Sequence, residues 1–299
     1  MYKIIRNSKI WFILSGLLAV VGAAALIVFG LRIGIDYRGG TIMEIQSINS
    51  NRVEITTKSL QEMGYSGFQV KPSGTDGVSI KLGSISNDEH LKILSTLTTN
   101  LGDAKEISYN NVGPTIGKDL TTRSIYAIIM ASIGIIIYIA YAFRKLPKPL
   151  SSWKFGVSAV IALAHDLLIT IGLFALIGHF YYWMEVDVLF ITALLTIMGF
   201  SVHDTIVVYD RLRENFIKNP RQDIAVTTEE SVNQTLARSI STSMTVVLVL
   251  LSLLILGSIS IRHFILTLTI GIIIGTYSSI FVASPLVVVW HKKLQKSDR

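Results

Sequence analysis

Few residues in this 299-residue chain can do chemistry, and the most telling of them sit where charge is costly. Asp204 follows His203 inside the run Gly199-Phe200-Ser201-Val202-His203-Asp204-Thr205, and Asp166 follows His165 in the middle of another apolar run. Arg238 opens the block Arg238-Ser239-Ile240-Ser241-Thr242-Ser243, with Thr242 and Thr245 on its helical face at i+4 and i+7. An ionisable side chain within a membrane-length apolar segment costs about 3 kcal/mol or more, so it marks a functional site with a partner to be found. If their helices are neighbours, Arg238 can approach Asp204. Two carboxylates, a guanidinium, two imidazoles and several hydroxyls in a low-dielectric bundle suit proton movement. Removing a carboxylate from water disfavours its charge, and an approaching guanidinium restores it. The competing reading is static: such groups also act as hydrogen-bonded glue between helices, at about 1 kcal/mol per contact. For Asp166 the self-satisfying His165-Asp166 pair fits either reading, and His165 and His203 read as helpers or packing residues.

Hydrolytic chemistry lacks its motifs. An intramembrane aspartyl protease would need Gly-x-Gly-Asp, which is absent around Asp204; so are His-Glu-x-x-His, Gly-x-Ser-x-Gly and any phosphate-binding loop. With no cysteine, disulfides, thiolate nucleophiles and Cys-ligated metals are excluded. No cofactor and no enzymatic activity are expected.

The elements that must position these groups follow from composition and periodicity. The chain is 51% apolar and only 16% charged, against about 25% in a soluble domain. Six runs have membrane length: Ile10–Phe29, Ile125–Phe143, Phe155–Ile177, Val188–Tyr209, Ile240–Leu256 and Phe264–Trp290, the last with a kink expected at Pro285. The first is too long for a signal-peptide core and ends without a cleavage site. Its Gly16, Gly22 and Ala23 to Ala25 would let another helix come close. Asp204 then lies about 9 Å from the charged edge at Asp210, and Asp166 about 16 Å inside its helix. Asp210-Arg211-Leu212-Arg213-Glu214 reads as an interfacial ion-pair ladder, followed by a polar stretch to Ala237.

Residues 31–123 have the charge density of a water-soluble domain. Strands are expected at Thr41–Ile48, Phe68–Lys71, Val78–Leu82 and Lys105–Tyr109, and helices at Asn51–Met63 and Asn87–Leu101. That β-α-β-β-α-β order is the ferredoxin-like, split βαβ arrangement. No catalytic constellation appears in it, and His90 reads as a solvated surface residue. Gly34-Ile35-Asp36-Tyr37-Arg38-Gly39-Gly40 reads as a tight loop leaving the membrane, and Gly113-Pro114 as a turn leading back. The expected fold is therefore a membrane protein with an all-α six-helix bundle and one α+β ferredoxin-like domain. Residues 1–30 hold the N-terminus and first helix, 124–290 the other five, and 291–299 a basic tail. Six spans put both termini on one side, which carries 16 of the 27 Lys and Arg; the two short loops opposite carry only Arg262. The positive-inside rule makes that side cytoplasmic and residues 31–123 extracytoplasmic. The +7 net charge is then an orientation signal, and nucleic-acid binding loses its support.

Four blocks carry a family resemblance. Gly34-Ile35-Asp36-Tyr37-Arg38-Gly39-Gly40 resembles that family's Gly-Ile-Asp-Phe-x-Gly-Gly, with Tyr37 for Phe; Val112-Gly113-Pro114-Thr115-Ile116-Gly117 resembles the block before its second helix. Gly199 to Asn215 is similar to its fourth-helix signature, with His203 where Asn is frequent, and Arg238 to Ser243 to the block opening its fifth helix. Over nearly its whole length the chain resembles the SecD/SecF family of protein-export membrane proteins, on the SecF side. The resemblance implies half of a resistance-nodulation-division-type transporter in the cell membrane, paired with a SecD half. It implies that the proton motive force assists late steps of preprotein translocation through the SecYEG channel, after the SecA ATPase has acted. It places the proton-pathway Asp on Asp204 and the coupling Arg on Arg238. A small-molecule exporter half of the same superfamily, or a non-transporting scaffold, are the alternatives.

Overall fold

The computed structural model describes residues 2–144 and 152–297. The sequence also predicts a basic, proline-broken loop from Arg144 through Pro147 and Pro149 to Lys154; it falls largely on 145–151, outside the described residues. The chain forms two compact units, Ile33–Ile125 and Met1–Arg32 with Tyr126–Arg299.

In the smaller unit, β1 (Gly40–Gln46), α3 (Arg52–Glu62), β2 (Gln69–Ser73), β3 (Gly77–Leu82), α4 (Asn87–Leu101) and β4 (Lys105–Val112) follow the short helix α2 (Ile35–Arg38), itself preceded by the long helix α1 (Ser8–Phe29) of the larger unit. The sheet order is β2-β3-β1-β4 and every pairing is antiparallel. This is the expected split βαβ arrangement. Alternation along β1 and β3 sends Met43, Ile45, Val78, Ile80 and Leu82 to one face, where they pack on Leu60 of α3 and Ile93, Leu97 and Leu101 of α4. Ser86 and Glu89 form a full capping box at the start of α4. His90, expected at the surface, is buried: its Nε2 lies 2.8 Å from Glu106 Oε1, and its ring stacks on Tyr109 at 3.8 Å. While Asn87, Asp88 and Glu89 face water, His90 turns inward onto β4, which carries both of its partners.

The two glycine-bearing motifs read as loops are built together. Gly39 has a positive φ of 77°, and a side chain there would meet Pro114 and the Val112 carbonyl. Gly117, one turn into α5 (Pro114–Ala142), comes so close to the backbone of Tyr37 and Gly39 that a Cβ would lie 2.8 Å from the Tyr37 carbonyl oxygen. Tyr37 Oη and Ser124 Oγ are 2.9 Å apart. Pro114 starts α5 because its missing N–H is unneeded at the first helical position.

In the larger unit, α6 (Ser152–Phe180), α7 (Val188–Lys218), α8 (Ile224–Leu256), α9 (Arg262–Ser278) and α10 (Ser284–Ser297) complete the chain. Six helical segments among the described residues are long and apolar enough to cross a membrane. The helices outrun the apolar runs that announced them. α7 continues through the charged stretch because Arg211 pairs with Glu214 and Arg213 with Asp210 on its outer side, while Leu212 and Phe216 stay buried. α8 begins at Ile224, capped by the Asp223 side chain on Ala225 N–H, so the expected polar stretch to Ala237 is mostly helix. The ladder of the last span changes just before Pro285, where the kink is expected. It passes through a π-helical turn, Ser279–Ala283, whose Ser279 carbonyl accepts from Ser284 Oγ at 2.8 Å. Proline has no N–H to continue the α ladder, and the wider turn accommodates the gap. α1 packs on α6 where glycines meet: a Cβ on Gly172 would lie 2.3 Å from Gly22 Cα. Gly16 has open space beside it.

Gly172→Val forces α1 and α6 apart and costs about 1–3 kcal/mol of stability; thermal unfolding in detergent checks this, and an unchanged midpoint contradicts the contact. In the smaller unit, Ser47 Oγ (2.6 Å) and the Ile48 N–H (2.8 Å) both donate to Asp103, and these bonds hold its carboxyl below the usual carboxylate range. A depressed folded value means the stabilisation is whole above the unfolded value and is lost as pH falls through the folded one. Protection of the Ile48 amide against hydrogen exchange, corrected for intrinsic rate, therefore falls in acid, and Asp103→Asn flattens that dependence.

Candidate functional site

The two intramembrane carboxylates lie in one polar layer but are held differently. Asp166, in the middle of α6, is fully buried. Its Oδ2 accepts from Ser201 Oγ of α7 and Ser278 Oγ of α9, each at 2.6 Å, and its Oδ1 lies 3.0 Å from His165 Nδ1. Both oxygens are occupied, and the three donors come from three helices. α7 and α9 meet closely here, since Gly275 abuts Ser201: a Cβ on Gly275 would lie 2.9 Å from Ser201 Cβ. A carboxylate so fully bonded can tie α6, α7 and α9 into one piece.

Asp204 stands one turn further along α7 and is 3% exposed. Ser239 of α8 and Thr276 of α9 face its carboxylate. Yet Asp204 Oδ2 and Ser239 Oγ are both buried without a hydrogen-bond partner. Thr276 Oγ1 is committed to Ser243 Oγ and to the Ile272 carbonyl. A buried carboxylate oxygen left unbonded is costly and needs an explanation. What fits beside it is a proton, or a donor that arrives from elsewhere. Asp166 and Asp204 share no hydrogen-bond partner among the described residues.

The remaining expected site residues are placed otherwise. Arg238 is exposed and makes no ion pair among the described residues. From the sequence, Arg238 opens its helix and can approach Asp204 if the two helices are neighbours. With α8 starting at Ile224, Arg238 is mid-helix, and the stripe turned inward is Thr235, Ser239, Ser243, Val247 and Leu250. Ser239, about 100° round the helix from Arg238, occupies the position beside Asp204. His203 is exposed on α7, in line with Thr192, Thr196 and Gly199, which are also exposed. His165 is nearly buried and its Nε2 lacks a partner. Ser201, Ser278, Ser239 and Thr276 were not singled out by sequence; the signal available was their position within one helical turn of a glycine or a charge. Below them, Tyr209 Oη donates to the Ala283 carbonyl at 3.2 Å, at the end of the π turn.

Comparison with known proteins agrees with this architecture. A family model described as protein export membrane protein SecD/SecF, C-terminal, matches residues 92–293, and one for the SecD/SecF GG motif matches residues 24–47. A protein translocase subunit SecF of Thermobaculum terrenum is 43% identical over 98% of this chain and 95% of its own. One from Haemophilus influenzae is 36% identical over 94% of this chain and 83% of its own. The crystal structure of SecDF from Thermus thermophilus, a translocon-associated membrane protein, superposes with a TM-score of 0.83 at 33% identity. It covers 97% of this chain, which spans only 39% of that one. This chain is a multi-pass membrane protein and belongs to the SecD/SecF family of protein export membrane proteins.

Proposed function

We propose that this chain is the SecF half of a SecD–SecF pair, and that it uses the proton motive force to assist late steps of preprotein translocation through the SecYEG channel after SecA. The observation that carries the reading is the contrast between the two carboxylates. Asp166, bonded on both oxygens, acts as a fixed tie between helices, with His165 as its donor. Asp204, with an unbonded oxygen and two hydroxyl-bearing neighbours, is the group that exchanges a proton. Arg238 is its coupling partner in a second arrangement of α8 against α7, reached by rotation of the helix or by a shift when the SecD half packs on. An approaching guanidinium stabilises the anion and releases the proton; its withdrawal reverses the exchange.

The SecD partner is supported by what the bundle leaves uncovered. His203, Thr192 and Thr196 on α7, and Arg238, Thr242 and Thr245 on α8, are exposed within membrane-length helices. Lipid solvates such groups poorly, whereas a second helical bundle can bond them. Relatives named SecDF, one of them from Bacillus subtilis and matched by this chain over 38% of its length, carry additional chain that would provide it. Both termini are assigned to the cytoplasm and residues 31–123 to the far side of the cell membrane by the loop charges. The smaller unit is then the part that meets the emerging preprotein.

In vesicles holding this chain with its SecD partner, Asp204→Asn reduces proton flux to the level of empty vesicles and stops the late translocation step, with folding preserved. Asp166→Asn instead lowers thermal stability by about 1–3 kcal/mol while flux per folded complex persists. Unchanged flux in Asp204→Asn overturns the assignment. A drop in its melting temperature with translocation intact would favour the scaffold reading.

A further inference from the structure

A groove of about 730 Å³ lies between α1, α8 and α9, away from the exposed Arg238 face. Its walls are almost wholly apolar, among them Trp11, Ile240, Met244, Val247 and Phe281. The polar exceptions fall in two places. One end carries Lys3, with Tyr2 and Asn7; deeper in, Ser243 and Thr276 close the wall that backs Asp204. No acidic residue lines it. Along α8 the lining runs from Leu236 to Val247, which at 1.5 Å per residue is about 16 Å. That is half of a hydrocarbon core about 30 Å thick, or one leaflet.

The charged end is held in place. Glu229, in the first part of α8, accepts from the backbone N–H groups of Ile4, Ile5 and Arg6. Asn233 accepts from Tyr2 N–H at 2.7 Å and donates to its carbonyl at 3.0 Å. Ile4 and Ile5 are buried beneath this clasp. A carboxylate taking several N–H donors makes charge-assisted bonds, stronger than neutral ones. Lys3 is therefore fixed at the mouth of the groove rather than carried on a loose terminus.

We propose that this groove binds one anionic phospholipid, with an acyl chain along α8 and α9 and the phosphate on Lys3. An apolar slot one leaflet deep matches an acyl chain in length, and the single cation at its polar end matches an anionic headgroup in sign. The seated chain lies against the Ser243–Thr276 pair and keeps water from Asp204 on that side.

The test is native mass spectrometry of the full chain released from nanodiscs containing equal phosphatidylglycerol and phosphatidylcholine. The wild type retains one phosphatidylglycerol in preference to phosphatidylcholine. Lys3→Gln lowers that retention about fivefold, the loss of one basic contact at an anionic surface. Met244→Trp, which fills the slot without touching charge, abolishes it, and Lys9→Gln on the same segment leaves it unchanged. Equal retention of both lipids overturns the proposal, as does retention unaffected by Met244→Trp. Circular dichroism and the melting temperature of each variant exclude misfolding as the cause. A photo-crosslinker at Met244, read in native membranes, gives the remaining outcome: capture of a partner polypeptide in place of lipid overturns it too.

Discussion

The bundle depends on how a carboxylate is kept out of water. Burying one unpaired is among the most expensive things a membrane helix can do. The chain solves the problem completely for Asp166, where Ser201, Ser278 and His165 supply donors from three directions. It leaves it half solved one helical turn away, at Asp204. The same two helices, α7 and α9, serve both groups, and the close approach at Gly275 and Ser201 sets their spacing. A rigid tie beside an unsatisfied site is a sensible construction. On the proposed reading the tie fixes α6, α7 and α9, so that a small movement of α8 changes what Asp204 meets.

The rest of the molecule can be ordered around that frame. The π turn at Ser279–Ala283 follows directly on Ser278, and Tyr209 reaches its last carbonyl. π turns replace one rigid ladder by a wider one and recur at functional sites. Towards the N-terminus of α8, the Glu229 and Asn233 clasp binds the helix to residues 2–6, so any movement of α8 is felt at the start of α1. In the smaller unit, Gly39 and Gly117 bring the two glycine motifs to backbone contact, which ties the strand leaving the first helix to the helix entering the second. Gly39 and Gly117 are required there by closeness.

Much of this was legible in the sequence, for identifiable reasons. Asp166 and Asp204 stood out because a charge in an apolar run is improbable without a purpose, and the split βαβ order emerged because strand and helix periods differ. Helix ends were misjudged wherever hydropathy and helicity part company. α7 and α8 continue as amphipathic helices past the apolar stretch, and that shift moved Arg238 from a helix start to an exposed mid-helix position. The hydroxyl partners were hidden because Ser and Thr are ordinary in membrane helices and periodicity does not say which helices adjoin. His90 was misread for a related reason: its burial is decided by β4, distant in sequence. The Gly271-Ile272-Ile273-Ile274-Gly275 spacing, which was not singled out by sequence, marks the tight crossing seen on the helix that serves both carboxylates.

The central claim is that Asp204, and not Asp166, changes its protonation as the complex works. Infrared difference spectroscopy with isotope-labelled aspartate, on the complex with its SecD partner before and after a proton gradient is imposed, tests it most directly. The account predicts a carboxylic-acid carbonyl band that changes with the gradient, vanishes in Asp204→Asn and survives in Asp166→Asn. A gradient-dependent band that persists in Asp204→Asn and disappears in Asp166→Asn would contradict it.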